Sequence, residues 1–169
     1  MYVHWDGYPS HHLPLLLAAH QHRFGGDTEA MAAYLIDDAP EGWSRLGTDL
    51  LDGAPDALRE RLAADRDAPG TRYPARPAEP PLLYTERTVS RLNWGYVLHP
   101  HGIEVISSPS LERGPLVAWS TDPRVRLRDT PGLWKPGQPI PATTPPPSTT
   151  RRTAAPAPAA APAPRTRSH

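Results

Sequence analysis

The sequence predicts an α+β fold: a mainly antiparallel sheet of three or four strands packed on short N-terminal helices, followed by a disordered tail. Three observations carry this expectation. Apolar residues recur at helical spacing between Leu13 and Leu62, whereas Trp94–Trp119 holds aromatic and β-branched residues in short runs around a tight turn. A polar stretch with five prolines, Asp65–Pro81, separates the two halves. Beyond Asp129 the composition changes, with 11 of the 24 prolines in the last 40 residues and no apolar periodicity left to build a core. The expected organisation is one domain over 1–135 and a Pro/Ala/Arg-rich tail over 136–169.

Each element has its own local warrant. Tyr2–Trp5 is rich in strand formers and stops at Asp6-Gly7-Tyr8-Pro9, a turn sequence. Pro14 suits the first turn of a helix, and Leu13, Leu16, Leu17, His20 and Phe24 form its apolar stripe, closed by Gly25-Gly26. Asp27 is an N-cap for a second helix with Met31, Tyr34 and Leu35 on its buried face. Trp43, Leu46, Leu50 and Leu51 predict a third short helix, and Pro55 opens a fourth containing Leu58 and Leu62. Trp94–His99 and Ile103–Ser107 form a hairpin about Pro100-His101-Gly102. A type I turn with a glycine bulge would set His99 opposite Ile103, Val97 opposite Val105 and Tyr96 opposite Ile106. Leu116–Trp119 adds a third strand, and Tyr2–Trp5 is a candidate fourth. Trp134, where order is expected to end, is read as a latch holding the chain end to the body.

Charge and residue content exclude several classes of function. The net charge of zero is a cancellation, −5 over residues 1–129 against +5 over 130–169. An acidic body repels phosphate backbones, so nucleic acid would be met only through the arginine tail. The absence of Cys removes disulfides, thiol catalysis and Cys-ligated metals. No apolar run is long enough for a membrane span, and the N-terminus has no basic-then-apolar leader, which predicts a cytoplasmic protein. One Lys against 17 Arg points to a high-GC, actinobacterial genome.

The heptapeptide Val3-His-Trp-Asp-Gly-Tyr-Pro9 resembles the strand-to-turn signature of a family of small proteins of unassigned activity from actinobacteria and their phages. In that family the motif leads into a Leu-rich helix, matched here by Leu13–Leu17, and a later strand pair closes the domain, matched by Trp94–Ile106. The resemblance covers residues 2–120 and implies a fold shape without a mechanism. Family members also carry a strand before the motif. Without one, Tyr2–Trp5 would be a thinly protected edge.

Candidate chemistry gathers around the first strand. His4, Asp6 and Tyr8 are polar groups near its end, and His20 or His99 is a possible acid–base partner. Each has a plain structural reading beside it. Asp6 before Gly7 fits an Asx-turn, His20 fits a boundary position on an apolar stripe, and His99 flanks a hairpin turn. The spacings of the eight His residues match no metal-ligand pattern, and no phosphate loop, dinucleotide fingerprint or nucleophile elbow is present. No cofactor and no metal are expected. Asp37, Asp38 and Glu41 make an acidic patch at a helix C-terminus, a mildly unfavourable place for carboxylates. The expected function is that of a small cytoplasmic interaction or regulatory module with a protein partner, in the setting of a mobile element. The alternative is a small enzyme with its site at His4, Asp6 and Tyr8.

Overall fold

A computed structural model describes residues 3, 7–74, 93–107 and 113–143, and its architecture is α+β. Helix α1 (Pro9–Ala18) opens with Pro9 at its first position, where a missing N–H costs nothing, so Pro14 lies in the second turn and not in the first as expected. Leu13, Leu15, Leu16, Leu17, Ala18 and Ala19 are all fully buried. A helix segment apolar all round belongs in the centre of a core, so burial here extends beyond the one-sided stripe that the spacing predicts. The chain then widens into a π turn, Ala19–Arg23, closed by Phe24 N–H on Ala19 O at 2.9 Å and by Gly25 and Gly26 at φ 57° and 89°. Helix α2 (Thr28–Ala32) is capped as expected, Asp27 Oδ1 accepting from Ala30 N at 2.9 Å, and continues as a second π turn over Ala33–Asp37.

The third helix expected around Trp43 is instead a strand followed by a 3-10 turn. β1 (Trp43–Arg45) pairs antiparallel with β2 (Thr71–Arg72), and Thr48–Leu51 is the turn. Gly42 and Gly47 weaken helix there, and Gly47 serves a close approach: a Cβ on it would lie 2.1 Å from Gly70 N. Trp43 is buried, with its indole N–H donating to Leu35 O at 2.9 Å. Val3, the one described residue of the expected first strand, bridges in parallel to Trp43. It therefore joins this small sheet and not the main one. Helix α3 (Asp56–Ala63) follows Pro55, as the sequence predicts.

The main sheet has three antiparallel strands in the order β3 (Trp94–His99), β4 (Gly102–Ser107), β5 (Arg113–Ala118). The hairpin turn contains only Pro100 and His101, so His99 pairs with Gly102, Leu98 with Ile103 and Tyr96 with Val105. This differs by one residue from the expected register. A one-residue slip exchanges faces, which brings Ile103 and Val105 onto the side of Trp94, Tyr96 and Leu98 and turns Glu104 and Ile106 to the other. Strand β4, central and buried along its whole length, supplies Ile103 and Val105 to the same core as α1.

Trp134 does latch the chain. It is 1% exposed, meets Trp94 edge-on at 6.0 Å and donates to Arg128 O at 2.8 Å. The described residues continue past 135. Ile140 packs on the core, Thr143 N–H donates to Arg126 O at 2.7 Å, and Ala142 bridges Leu127. The described residues end at Thr143, and 144–169 lies outside them.

Candidate functional site

The residues proposed from sequence do not assemble into one site. His4 and Asp6 lie outside the described residues. Tyr8 is the N-cap residue of α1. Its carbonyl accepts from His11 and His12 N–H at 3.0 and 2.9 Å, and its side chain is exposed. His20 sits on the first π turn, buried, its ring stacked on Trp119 at 3.8 Å and 5°, with Nε2 3.1 Å from Thr28 Oγ1. Burial lowers the His20 pKa, opposed by a hydrogen bond at the Gly26 backbone and by the Asp27 charge. His99 closes β3, with Nε2 2.8 Å from the nearly buried Glu104 carboxylate, which Arg113 approaches at 3.8 Å. Trp119 brings His20 and His99 to one corner, since its indole N–H donates to His99 O at 2.9 Å. The two imidazoles nevertheless have separate partners.

Ser10, at the start of α1, is bonded to a carboxylate. Its N–H and Oγ donate to the two oxygens of Asp129 at 2.8 and 2.6 Å, so a residue 119 positions away caps the positive end of α1. Tyr96 donates to Gly7 O at 2.6 Å, and burial, with the Asp129 charge added, pushes its hydroxyl well above the usual value.

A second polar cluster ties the small sheet to the helices. Asp49 accepts from Tyr34 Oη and Gly70 N, each at 2.6 Å, and from Arg23 Nη1 at 3.1 Å. Desolvation raises the Asp49 pKa, but the Tyr34 hydroxyl, the Gly70 N–H and the Arg23 charge outweigh it and hold it below the ordinary carboxylate value. The guanidinium groups of Arg23 and Arg72 lie 4.2 and 4.7 Å from the Tyr34 ring centre. These groups serve one another, and the arrangement is a structural clasp.

Two clefts flank α3 on its side toward residues 122–127. The larger, about 390 Å³, is lined by Arg61, Arg66, Arg124 and Arg126 with Asp65 and Leu62, and Thr143 lies at it. The smaller, about 310 Å³, is lined by Pro55, Ala57, Leu58 and Asp122. They share Pro123 and Arg124. Neither Tyr8, His20 nor His99 lines either cleft. Sequence reading passed over this feature, although a signal was present. In Pro123-Arg-Val-Arg-Leu-Arg128 the arginines alternate with apolar residues, and the structure turns Leu127 inward while Arg124, Arg126 and Arg128 are exposed. Residues 1–122 carry 10 Arg and 17 acidic residues, a net of −7, so the clefts lie where an acidic body meets a basic C-terminal quarter.

Among the described residues no group of three or more His, Asp or Glu side chains could hold a metal ion, and no helix is long and apolar enough to cross a membrane. Comparison with protein-family models, with curated proteins and with solved structures finds no match to this chain.

Proposed function

We propose that this protein is a small cytoplasmic interaction or regulatory module that binds a protein partner through its folded body. The observation that carries this reading is the division of labour among its polar side chains. Of the histidines proposed from sequence, His20 and His99 are bound to neighbours away from the clefts, while the clefts along α3 present arginines, beside His11 and His22, at an open surface. An origin in an actinobacterial genome or one of its phages rests on the arginine-rich, lysine-poor composition and on the motif at Val3–Pro9.

The test is a pull-down from native lysate with the full chain and with a chain ending at Thr143, the last residue of the described body. A discrete partner retained by both supports binding through the body. A partner lost with 144–169 transfers the function to the tail. No partner from either, together with consumption of a compound from a metabolite pool, overturns the reading in favour of an enzyme.

A further inference from the structure

The clefts along α3 share a wall and differ in character. The smaller one takes its apolar lining from Pro55, Ala57, Leu58 and Pro123, beside the polar Gln21, His22, Asp122 and Arg124. The larger one carries four guanidinium groups against one carboxylate, Asp65. Arg61 Nη2 donates to Arg124 O at 2.9 Å and so spans from α3 to the opposite wall between them. Arg126 is exposed and makes no ion pair among the described residues, and neither does Arg61. Arg124 pairs at 3.3 Å with Asp122, but both are largely exposed, and such a surface pair is worth little and exchanges readily. Arg66 is nearly buried, with two of its donors on the carbonyls of Leu62 and His11, and holds its charge at the rear of the cleft.

Planar guanidinium forks match carboxylate and phosphate groups, so the ligand is anionic. Three features choose among anions. No Phe, Tyr or Trp lines either cleft, so the large aromatic faces on which single-stranded bases stack best are absent from the lining, which offers only the smaller rings of His11 and His22. The remainder of the body, net −7 over residues 1–122, repels a long phosphate backbone but is felt less by a short segment held at the arginines. The apolar lining of the smaller cleft, beside the charged one, fits an aliphatic side chain next to acidic ones. The chain's own segment 144–169 is a poor occupant, because it carries four arginines and no acid. The positive end of α1 is not available to a ligand either, since Asp129 occupies it.

We propose that the two clefts form one docking groove for a short acidic peptide of a protein partner. Its carboxylates pair with Arg61, Arg124 and Arg126, and an aliphatic side chain rests against Pro55, Ala57, Leu58 and Pro123. This rests on the reading of the chain as an interaction module and names the chemistry of its partner.

The experiment is fluorescence anisotropy on the full chain with fluorescein-labelled Glu-Glu-Leu-Leu-Glu-Glu. The expected result is saturable binding that weakens as salt rises, is lost when the glutamates of the peptide are replaced by glutamine, and falls about tenfold or more in Arg126→Glu. Arg45→Glu, which lies outside both clefts, should leave it unchanged. Circular dichroism and thermal melting of both variants establish that they are folded. Equal binding of acidic and glutamine peptides, equal loss in both variants, or no binding to the wild-type chain overturns the proposal. So does displacement of the peptide by a lower concentration of oligo-dT, which would make the groove a nucleic-acid site. A lysate partner whose capture survives Arg126→Glu leaves the module reading standing and removes only the groove, so the two failures are distinct.

Discussion

Replacing Asp49 tests whether the clasp between the helices and the small sheet is a stability element. Its side chain is 17% exposed and accepts three hydrogen bonds, from Tyr34, Gly70 and Arg23. A hydrogen bond to a charged group contributes about 1.5–3 kcal/mol, but the three will not add in full. Arg23 retains Asp52 at 3.8 Å and water, and only Gly70 N–H and the Tyr34 hydroxyl are left in a poorly solvated place. Asp49→Ala should therefore cost about 3 kcal/mol, and Tyr34→Phe about 1 kcal/mol, since it removes a single donor. The double variant should be less destabilised than the sum by about 1 kcal/mol, because the Tyr34–Asp49 bond is lost in either single change. Urea unfolding followed by tryptophan fluorescence measures all three. The pH dependence adds a second check. The carboxyl is depressed below its ordinary value of 3.8 in the folded chain, so its stabilisation is present above about pH 4 and is lost as the pH falls through the lower folded value. The gap between wild type and Asp49→Asn should close over that acid range. A cost below about 0.5 kcal/mol for Asp49→Ala, with no coupling to Tyr34, would refute the reasoning.

Two further predictions follow from single contacts. Asp129→Asn should destabilise the chain by about 1 kcal/mol through loss of the charged cap on Ser10, more than Ser10→Ala, which keeps the backbone bond. The same change removes a charge that raises the Tyr96 pKa, so absorbance titration at alkaline pH should find the Tyr96 hydroxyl ionising earlier. His20 is held neutral by burial, with its folded pKa below the usual 6.5. Its unfolded form binds a proton first as pH falls, so stability present above about pH 6.5 declines on acidification. His20→Gln should flatten the stability profile between pH 7 and pH 5. An unchanged profile by thermal melting would contradict that assignment.

Local chemistry was legible wherever one short segment decided the outcome. The Asp27 cap, the Gly25-Gly26 stop, Pro55 before α3 and the two strands flanking Pro100-His101 all follow from residues within one turn of each other. Register did not, because two hairpin turns differing by one residue are both compatible with Pro100-His101-Gly102, and burial of Ile103 and Val105 selects one. Nor did Trp43–Arg45, where the spacing of Trp43, Leu46, Leu50 and Leu51 suits a helix until β2 arrives from 26 residues further on to pair with Arg45.

The candidate site divides in the same way. Composition alone excluded disulfides and thiol chemistry and separated an acidic body from a basic end. It drew attention to histidines because their chemistry is versatile, yet a histidine's role depends on what the fold puts beside it. Trp119 stacks on His20, and Glu104 binds His99, from 99 and 5 residues away. The arginines of the α3 clefts are ordinary surface residues until helix and C-terminal segment come together, Arg61 meeting Arg124 across 63 positions. Sequence determines which groups exist and which local turns they favour. Only tertiary packing decides which charges share a wall, because Coulomb and hydrogen-bond energies depend on distance through space and not along the chain.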